Sequence, residues 1–475
     1  MIELALLLIA VGLFACFVDL RVGLYATVAA GLLQDPLRKL IPGEPVYVTA
    51  LVAVFAAVVF FGGLLRGQIQ GLGALAGTDN RLRAPLEVFI FVIAAQSIVT
   101  LVTTGSGILA AIGLLIYLSP VGGLFLGYAF ATRPERVAGL LWVYVALAAL
   151  MMSGVYFSVA GFEWEILRPV GDPLFAYFLE TGVATILPSG FFRAPEIAAW
   201  HGAAGALLAL VLGASSRRGR SIALGGALFV FFAVGVYLTG RRKFLIELAV
   251  FLPVCWLLLK HFRIGAARLL PGIAVGAVFM VFVAGWGIFT NDTVDTLREA
   301  RQRSEEPIVV QAVERVLDVT VYSIPDTLDR NGFWGAGAGV GSQGAQHFGG
   351  GDLIVGYGGE GGIGKLITEL GVPGALVFVW LAVALARRTW RTLVIAARGS
   401  FRAAIFSVGL AAFLLSNAAV FVGAHQAYGD VTVVLLLGLC LGFVLASGRY
   451  GGAEAVSGGL PGANGARAQN WRTAP

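Results

Sequence analysis

Three consecutive cations, Arg241, Arg242 and Lys243, connect two apolar stretches of the chain. Guanidinium groups form paired hydrogen bonds with phosphate oxygens, so this turn is a candidate binding site for a phosphate or another anion. Glu247 follows Lys243 at the i,i+4 spacing at which helical side chains pair, which would leave Arg241 or Arg242 for the ligand. The alternative is an ordinary cluster of charges between two helices.

Two further arginines lie in long polar segments. Arg193 closes the aromatic loop 161–196, just before an apolar stretch, so it either anchors the chain at the membrane surface or contacts a ligand. Arg315 lies in a segment that begins at Ile308 and has apolar residues at helical spacing. This spacing predicts an amphipathic helix that rests on the membrane or against the bundle.

A glycine-rich segment follows that amphipathic helix. From Gly332 to Gly364 it contains 15 glycines in 33 residues. Its GAGAGVGSQG stretch superficially resembles a dinucleotide-binding fingerprint, but the required strand and helix do not flank it. Glycines here predict tight turns or close approach of the backbone to a bulky ligand, with a flexible loop as the alternative.

The composition of the chain decides what kind of protein holds these residues. Its 475 residues are 58% apolar and 13% charged, with a mean hydropathy of +0.87. Soluble globular proteins have about 45–50% apolar and about 25% charged residues, so a soluble enzyme, a disordered protein and a nucleic-acid-binding domain are excluded. Three cysteines, Cys16, Cys255 and Cys440, lie inside apolar runs without a CxxC pair, which indicates neither disulfides nor a thiolate metal site.

Apolar stretches of about 20 residues predict membrane-spanning helices, and the fold class is therefore all-α and polytopic. Residues 22–33 are either a thirteenth span or a segment that dips into the membrane and returns. The twelve predicted spans are 2–18, 46–65, 85–103, 106–131, 138–160, 197–214, 221–239, 244–259, 269–289, 363–386, 403–423 and 430–447.

The distribution of Lys and Arg predicts the orientation of these spans. The loops on one side and the tail hold 19 Lys and Arg residues, against 12 on the other side, so the first side is predicted to be cytoplasmic. The first span lacks a basic start and a clear cleavage site, so we expect the N-terminus to be retained. The predicted organisation is spans in 1–289 with the outward loop 161–196, an outward loop 290–362, the last three spans in 363–447, and a disordered cytoplasmic tail 448–475.

Four features resemble the O-antigen ligase and O-antigen polymerase family of bacterial membrane glycosyltransferases. Two are the layout, with its large outward loop before the last three helices, and the GAGAGVGSQG segment. A third is the Leu-Thr-Gly-Arg-Arg stretch at 238–242, which resembles the family's arginine-bearing helix start. The fourth is the stretch 359–371, whose Glu369-Leu370-Gly371 resembles the family's Glu-x-Gly motif. This alignment places Glu360 where the family has a histidine.

The resemblance implies a GT-C-like fold and a metal-independent, inverting glycosyltransferase that acts on undecaprenyl-pyrophosphate-linked glycans. Glu360 would deprotonate the acceptor hydroxyl, with His347 as the second candidate. The predicted pyrophosphate ligands are Arg241 or Arg242, with Arg193 and Arg315. The resemblance implies no metal or other cofactor, because arginines take the place of a metal. A carboxylate in place of histidine fits a polymerase at least as well as a ligase.

The resemblance also implies the surroundings of the protein. It would lie in the bacterial inner membrane with its active face in the periplasm. Its partners would be membrane lipids, an undecaprenyl-pyrophosphate-linked oligosaccharide, an acceptor glycan and other polysaccharide-assembly proteins. Nucleic acid would not be a partner. The function favoured is an exopolysaccharide or O-antigen polymerase. The alternatives are a ligase with another acceptor, a non-catalytic polysaccharide or lipid transporter, and a scaffold of an export complex.

Overall fold

The computed structural model describes residues 2–69, 80–171, 175–178, 183–216, 218–264, 317–342, 345 and 361–449. Within these ranges, nine helices are long and apolar enough to cross a membrane, so the chain is a multi-pass membrane protein. The apolar helix Val431–Ala446 is shorter than these nine.

Short turns join most neighbouring helices, whereas longer stretches of chain lie between the described helices at 66–79, 160–194, 262–322 and 332–361. In chain order they are α1 (Ile2–Val18), α2 (Leu20–Leu40), α3 (Leu51–Leu65), α4 (Asn80–Thr104), α5 (Gly107–Phe130), α6 (Pro134–Val159), α7 (Pro195–Ser215), α8 (Gly219–Leu238), α9 (Arg242–His261), α10 (Ser323–Asn331), α11 (Gly362–Ala396), α12 (Phe401–Gly423) and α13 (Val431–Ala446).

Each predicted span that falls on described residues coincides with one of these helices, whereas the predicted span 269–289 lies outside them. The apolar stretch 22–33 is part of α2, a continuous helix of 21 residues. At about 1.5 Å per residue, α2 is about 31 Å long, so its length suffices to cross a bilayer.

The residue pattern predicted an all-α chain, but the loop between α6 and α7 contains a short antiparallel hairpin. Its strands are β1 (Phe175–Phe178) and β2 (Val183–Ile186), and Phe175 is paired with Ile186. The strands have four residues each, too few for the alternation of apolar and polar residues to stand out in the sequence.

Helix α7 lies at the centre of the bundle, where every one of its 21 residues is buried. Small residues make this position possible, because alanine and glycine recur along the helix and let its neighbours pack closely. For example, a Cβ atom on Gly205 would lie 2.6 Å from the ring of Phe232 on α8.

Glycines also bring α5 and α13 into direct backbone contact. Gly123 and Gly127 on α5 are spaced four residues apart, as are Gly438 and Gly442 on α13. A Cβ atom on Gly438 would lie 2.2 Å from the carbonyl oxygen of Pro120. These two small-xxx-small faces therefore join the fifth described helix to the last one.

One end of the bundle gathers the turns α2–α3, α4–α5, α8–α9 and α12–α13, the loop α6–α7 and the beginning of α11. Side-chain contacts between these segments show that they lie together. We call this the site end. It is the end that the distribution of Lys and Arg predicts to face outward.

Candidate functional site

Lys39, in the last turn of α2, fixes the loop between α6 and α7 to the bundle. Its ammonium group is buried and donates hydrogen bonds to the carbonyl oxygens of Ile166 at 3.1 Å, Gly190 at 2.7 Å and Phe192 at 2.7 Å. Three acceptors use the full donor capacity of a lysine ammonium group. This anchoring sets the position of the next residue in the loop, Arg193.

Arg193 joins three distant parts of the chain. Its Nη1 atom lies 3.2 Å from Oδ1 of Asp35 on α2, and its Nη2 atom pairs with Oδ2 of Asp430. Its backbone N–H also donates to Asp35, at 3.1 Å. Asp430 in turn caps α13 by accepting a hydrogen bond from the N–H of Val433 at 3.0 Å, as expected for an aspartate at a helix start.

Arg193 and Asp430 lie outside the membrane-spanning helices, and their ion pair shifts the pKa values of both groups. Burial disfavours the charged guanidinium, but Asp430 and Asp35 outweigh this effect and raise the pKa of Arg193 above its ordinary value. Burial also disfavours the Asp430 carboxylate, yet Arg193 lowers the pKa of Asp430 below its ordinary value. Both groups are therefore charged at neutral pH.

Arg38, one residue before Lys39, uses only part of its hydrogen-bonding capacity. Its Nε donates to the carbonyl oxygen of Glu44 at 2.8 Å. Among the described residues its terminal amino groups have no hydrogen-bond partner and no carboxylate within ion-pair distance. The side chain is only 9% exposed, and it borders a cavity rather than open solvent.

Lys365 on α11 supplies a third cation through a buried ion pair. Its ammonium lies 2.6 Å from Oε1 of Glu369, which also accepts a hydrogen bond from the N–H of Gly341 at 3.0 Å. The other carboxylate oxygen accepts from the hydroxyl of Tyr117 on α5. Glu369 is fully buried, so the sequence motif Glu-x-Gly has a packing role here that the residue pattern did not predict.

These cations surround one small cavity at the site end, which we call the cation cavity. Its volume is about 200 Å³. It is smaller than the roughly 300–1,000 Å³ of sites for drug-sized ligands, so it suits a compact group. Its charged and polar lining comprises Arg38, Arg193, Lys365, Asp430, His425, Gln426, Thr49 and Ser342, and its apolar lining includes Val46, Ala50, Ile112, Leu115, Ile116 and Val431.

The cationic turn at the start of α9 lies beside this cavity. Lys243 donates to the side chain of Gln426, which lines the cavity, while Glu247 accepts a hydrogen bond from Asn417 at 2.7 Å. The expected pairing of Lys243 with Glu247 is therefore replaced by contacts between helices. Gly240 has φ +73°, a conformation that favours glycine, and a Cβ atom there would lie 2.7 Å from Leu187.

Arg241 pairs with Glu196 at the start of α7. Its Nη2 atom lies 2.7 Å from Oε1 of Glu196. The Nε atom of Arg241 and Oε2 of Glu196 are buried without a hydrogen-bond partner among the described residues. This pair therefore keeps unused hydrogen-bonding capacity next to the cation cavity, although Arg241 does not line it.

Several described glycines of the segment that follows α10 contact helices. Gly337 and Gly339 have φ values of +110° and +91°. Cβ atoms there would lie 2.4 Å from the side chain of Thr100 and 2.3 Å from the carbonyl oxygen of Leu109. In this part of the segment, glycine serves close packing on α4 and α5, and Gly341 alone of these glycines borders the cavity.

The structure places some predicted site residues together and does not describe others. Arg193 lines the cation cavity, and Arg241 lies at its side. The side chain of Arg242 lies outside the described residues, as do Arg315, His347 and Glu360.

Sequence reasoning missed two cations of the cavity, Arg38 and Lys365. For Arg38 there was a signal, because two adjacent cations, Arg38 and Lys39, end a helix on the side where cations are rare.

Comparison with known proteins does not place the chain in a family. The chain matches no protein-family model, and no curated protein matches its sequence.

Proposed function

We propose that the cation cavity binds the phosphate or pyrophosphate of a lipid-linked glycan, and that the chain is a membrane glycosyltransferase that polymerises or transfers that glycan. One observation carries the proposal: Arg38, Arg193 and Lys365, from three separate segments, line one compact cavity at an end of a membrane bundle. Guanidinium and ammonium groups in a partly dry cavity are the usual means of binding phosphate oxygens.

The charges of the cavity favour an anion. Arg193 and Lys365 are balanced by carboxylates, whereas Arg38 has none within ion-pair distance among the described residues. The two terminal amino groups of the Arg38 guanidinium would contact the phosphate directly. Arg193 and Lys365, which are paired with carboxylates, would position the walls of the cavity.

The lining of the cavity also fits an amphiphilic substrate. Its lining includes apolar side chains from α5 and from the turn before α3 as well as cations. A lipid-linked glycan likewise combines apolar and charged parts, with a polyprenyl chain in the bilayer, a pyrophosphate at the surface and sugars beyond it. The cavity volume of about 200 Å³ accommodates the phosphate part, and the sugars would extend outward over the loops.

The proposed reaction follows from the resemblance to O-antigen polymerases. The acceptor hydroxyl attacks the anomeric carbon of the donor sugar, the bond from that carbon to the pyrophosphate oxygen breaks, and the configuration inverts. Glu360, or His347 as the second candidate, takes the hydroxyl proton. The electron pair of the broken bond stays on the pyrophosphate, whose charge Arg38 and Arg241, with Arg193, Arg242 and Arg315, would stabilise.

The proposal includes a location. The excess of Lys and Arg at the opposite end of the bundle supports a cytoplasmic position for that end, and hence a periplasmic site end in a bacterial inner membrane. Its partners would be undecaprenyl-pyrophosphate oligosaccharide, the acceptor glycan and other assembly proteins.

The test is to incubate purified protein with a polyprenyl-pyrophosphate oligosaccharide and to separate the products by length. Longer glycans on polyprenyl pyrophosphate support a polymerase. Transfer to a different lipid or protein supports a ligase. Failure to form any product with any acceptor contradicts the proposal, and ATP-independent movement of the lipid across proteoliposome membranes would then favour a transporter.

A further inference from the structure

A second and larger cavity lies at the opposite end of the bundle from the cation cavity. It has a volume of about 740 Å³ and opens between the beginnings of α6, α8 and α12 and the end of α13. We call it the arginine cavity, after the four arginines that line it: Arg133, Arg218, Arg402 and Arg449. These side chains come from four segments that only the fold brings together.

The arginine cavity has a clear excess of positive charge. Among the described residues of its lining, Glu135 is the one carboxylate, and its oxygen lies 3.6 Å from Arg402, with both side chains well exposed. An exposed pair at that distance is weak. Arg133 and Arg218 have no ion-pair partner among the residues that the structure describes, and Arg449 stacks over the ring of Tyr128 at 3.7 Å.

The polar groups between the arginines are also suited to an anion. Ser216, Ser221 and Ser400 add hydroxyl groups to the lining. The helices α6 and α8 begin at this cavity behind Arg133 and Arg218, neither of which caps its helix with a side-chain hydrogen bond. The first N–H groups of a helix carry partial positive charge, which adds to that of the arginines.

We propose that the arginine cavity binds a phosphate group, and that this phosphate belongs to the headgroup of an anionic membrane lipid. Two observations favour a lipid over free phosphate. The cavity lies at the ends of membrane-spanning helices and includes an apolar wall from Ala138, Trp142 and Leu212. It also lies at the end predicted to face the cytoplasmic leaflet, where anionic lipids attract clustered cations. This site does not depend on the function proposed for the other end.

The experiment measures lipid binding to the full-length protein in a neutral detergent by native mass spectrometry. The probes are dioctanoyl phosphatidylglycerol, dioctanoyl phosphatidylcholine and inorganic phosphate. The variant is Arg218→Gln with Arg402→Gln, and the matched control is Arg83→Gln, which removes an exposed cation paired with Glu87 on α4. Thermal unfolding confirms that each variant folds.

We expect the wild type to bind phosphatidylglycerol at least about tenfold more tightly than phosphatidylcholine. The double variant should lose at least about tenfold in affinity, since one charge-assisted hydrogen bond is worth about that factor, while Arg83→Gln stays within about twofold. If inorganic phosphate binds as tightly as the lipid, and the double variant loses this binding, the cavity is a phosphate site but its ligand is not a lipid. Equal binding of both lipids, or unchanged binding in the double variant, would overturn the site.

Discussion

Arg193 and Asp430 are 237 positions apart in the chain, yet their guanidinium and carboxylate groups form an ion pair at the edge of the cation cavity. Asp35 completes the cluster from α2. The loop between α6 and α7 is thereby tied both to the second helix and to the beginning of the last described helix. Together with the hydrogen bonds of Lys39, this cluster fixes the walls of the cavity relative to one another.

Replacing Arg193 should therefore destabilise the protein. Arg193→Met leaves the buried carboxylates of Asp35 and Asp430 without their ion-pair partner, and breaking a buried pair in this way costs about 3–5 kcal/mol. Thermal unfolding in detergent should show a clearly lower midpoint. Arg83→Met is the control, because it breaks an exposed pair with Glu87 worth at most about 1 kcal/mol. Equal midpoints for the two variants would show that the cluster contributes nothing.

The same cluster predicts a dependence of stability on acid pH. Because the folded state lowers the pKa of Asp430, its carboxylate contributes stability that is complete above the unfolded pKa of about 3.9 and is lost as pH falls through the lower folded value. Asp430→Asn should thus be less stable than the wild type at pH 7, and the difference should shrink below about pH 4. Unfolding midpoints at pH 7, 5 and 3 measure this. A difference that stays constant over this range would argue against ionised Asp430.

Lys365 and Glu369 should behave as a coupled pair. Lys365→Met leaves a buried carboxylate, and Glu369→Gln leaves a buried ammonium, so each should cost about 3–5 kcal/mol. The double variant should cost clearly less than the sum of the two, because it leaves neither charge unpaired. A double-variant cycle of unfolding midpoints gives the coupling. Additive effects would mean that the two groups do not stabilise one another.

Two glycines on α5 test the packing of the glycine-rich segment. A Cβ atom on Gly113 would lie 2.4 Å from the backbone of Ala338, whereas one on Gly122 would meet nothing within 4 Å. Gly113→Ala should therefore destabilise the protein. Gly122→Ala on the same helix should be neutral or stabilising by up to about 1 kcal/mol, because alanine favours the helix. Similar midpoints for both variants would show that the segment does not rest on α5.

The sequence predicted the helices of the bundle well, for a physical reason. A membrane span needs about 20 apolar residues whatever its neighbours are, so each span is visible in its own stretch of chain. One helix that the sequence predicted too short is α2, where Asp35, Arg38 and Lys39 interrupt the apolar pattern. Arg193 pairs with Asp35, and three carbonyl oxygens accept from Lys39; such partners cannot be read from the helix itself.

The candidate site was predictable only in part. Arg193 and the turn at Arg241 were identified from their residue type and position, but their carboxylate partners come from other helices. Lys365 gave no signal, since its ion pair with Glu369 resembles an ordinary i,i+4 pair on a helix surface. Its burial results from the way α11 packs against Tyr117 and Gly341.

In the proposed function, Arg38 holds the phosphate of a lipid-linked glycan during transfer. The direct test of this role is the initial rate of glycan extension by the wild type, Arg38→Gln and Arg83→Gln, each purified in the same way. Arg38→Gln should fold, because it loses one hydrogen bond, to Glu44, worth about 1–3 kcal/mol. We predict that it extends glycans about 10²- to 10³-fold more slowly, as when one charge-stabilising donor is removed, while Arg83→Gln matches the wild type. Extension by Arg38→Gln at the wild-type rate would contradict the cation cavity as the site, and no extension by the wild type would contradict the transferase itself.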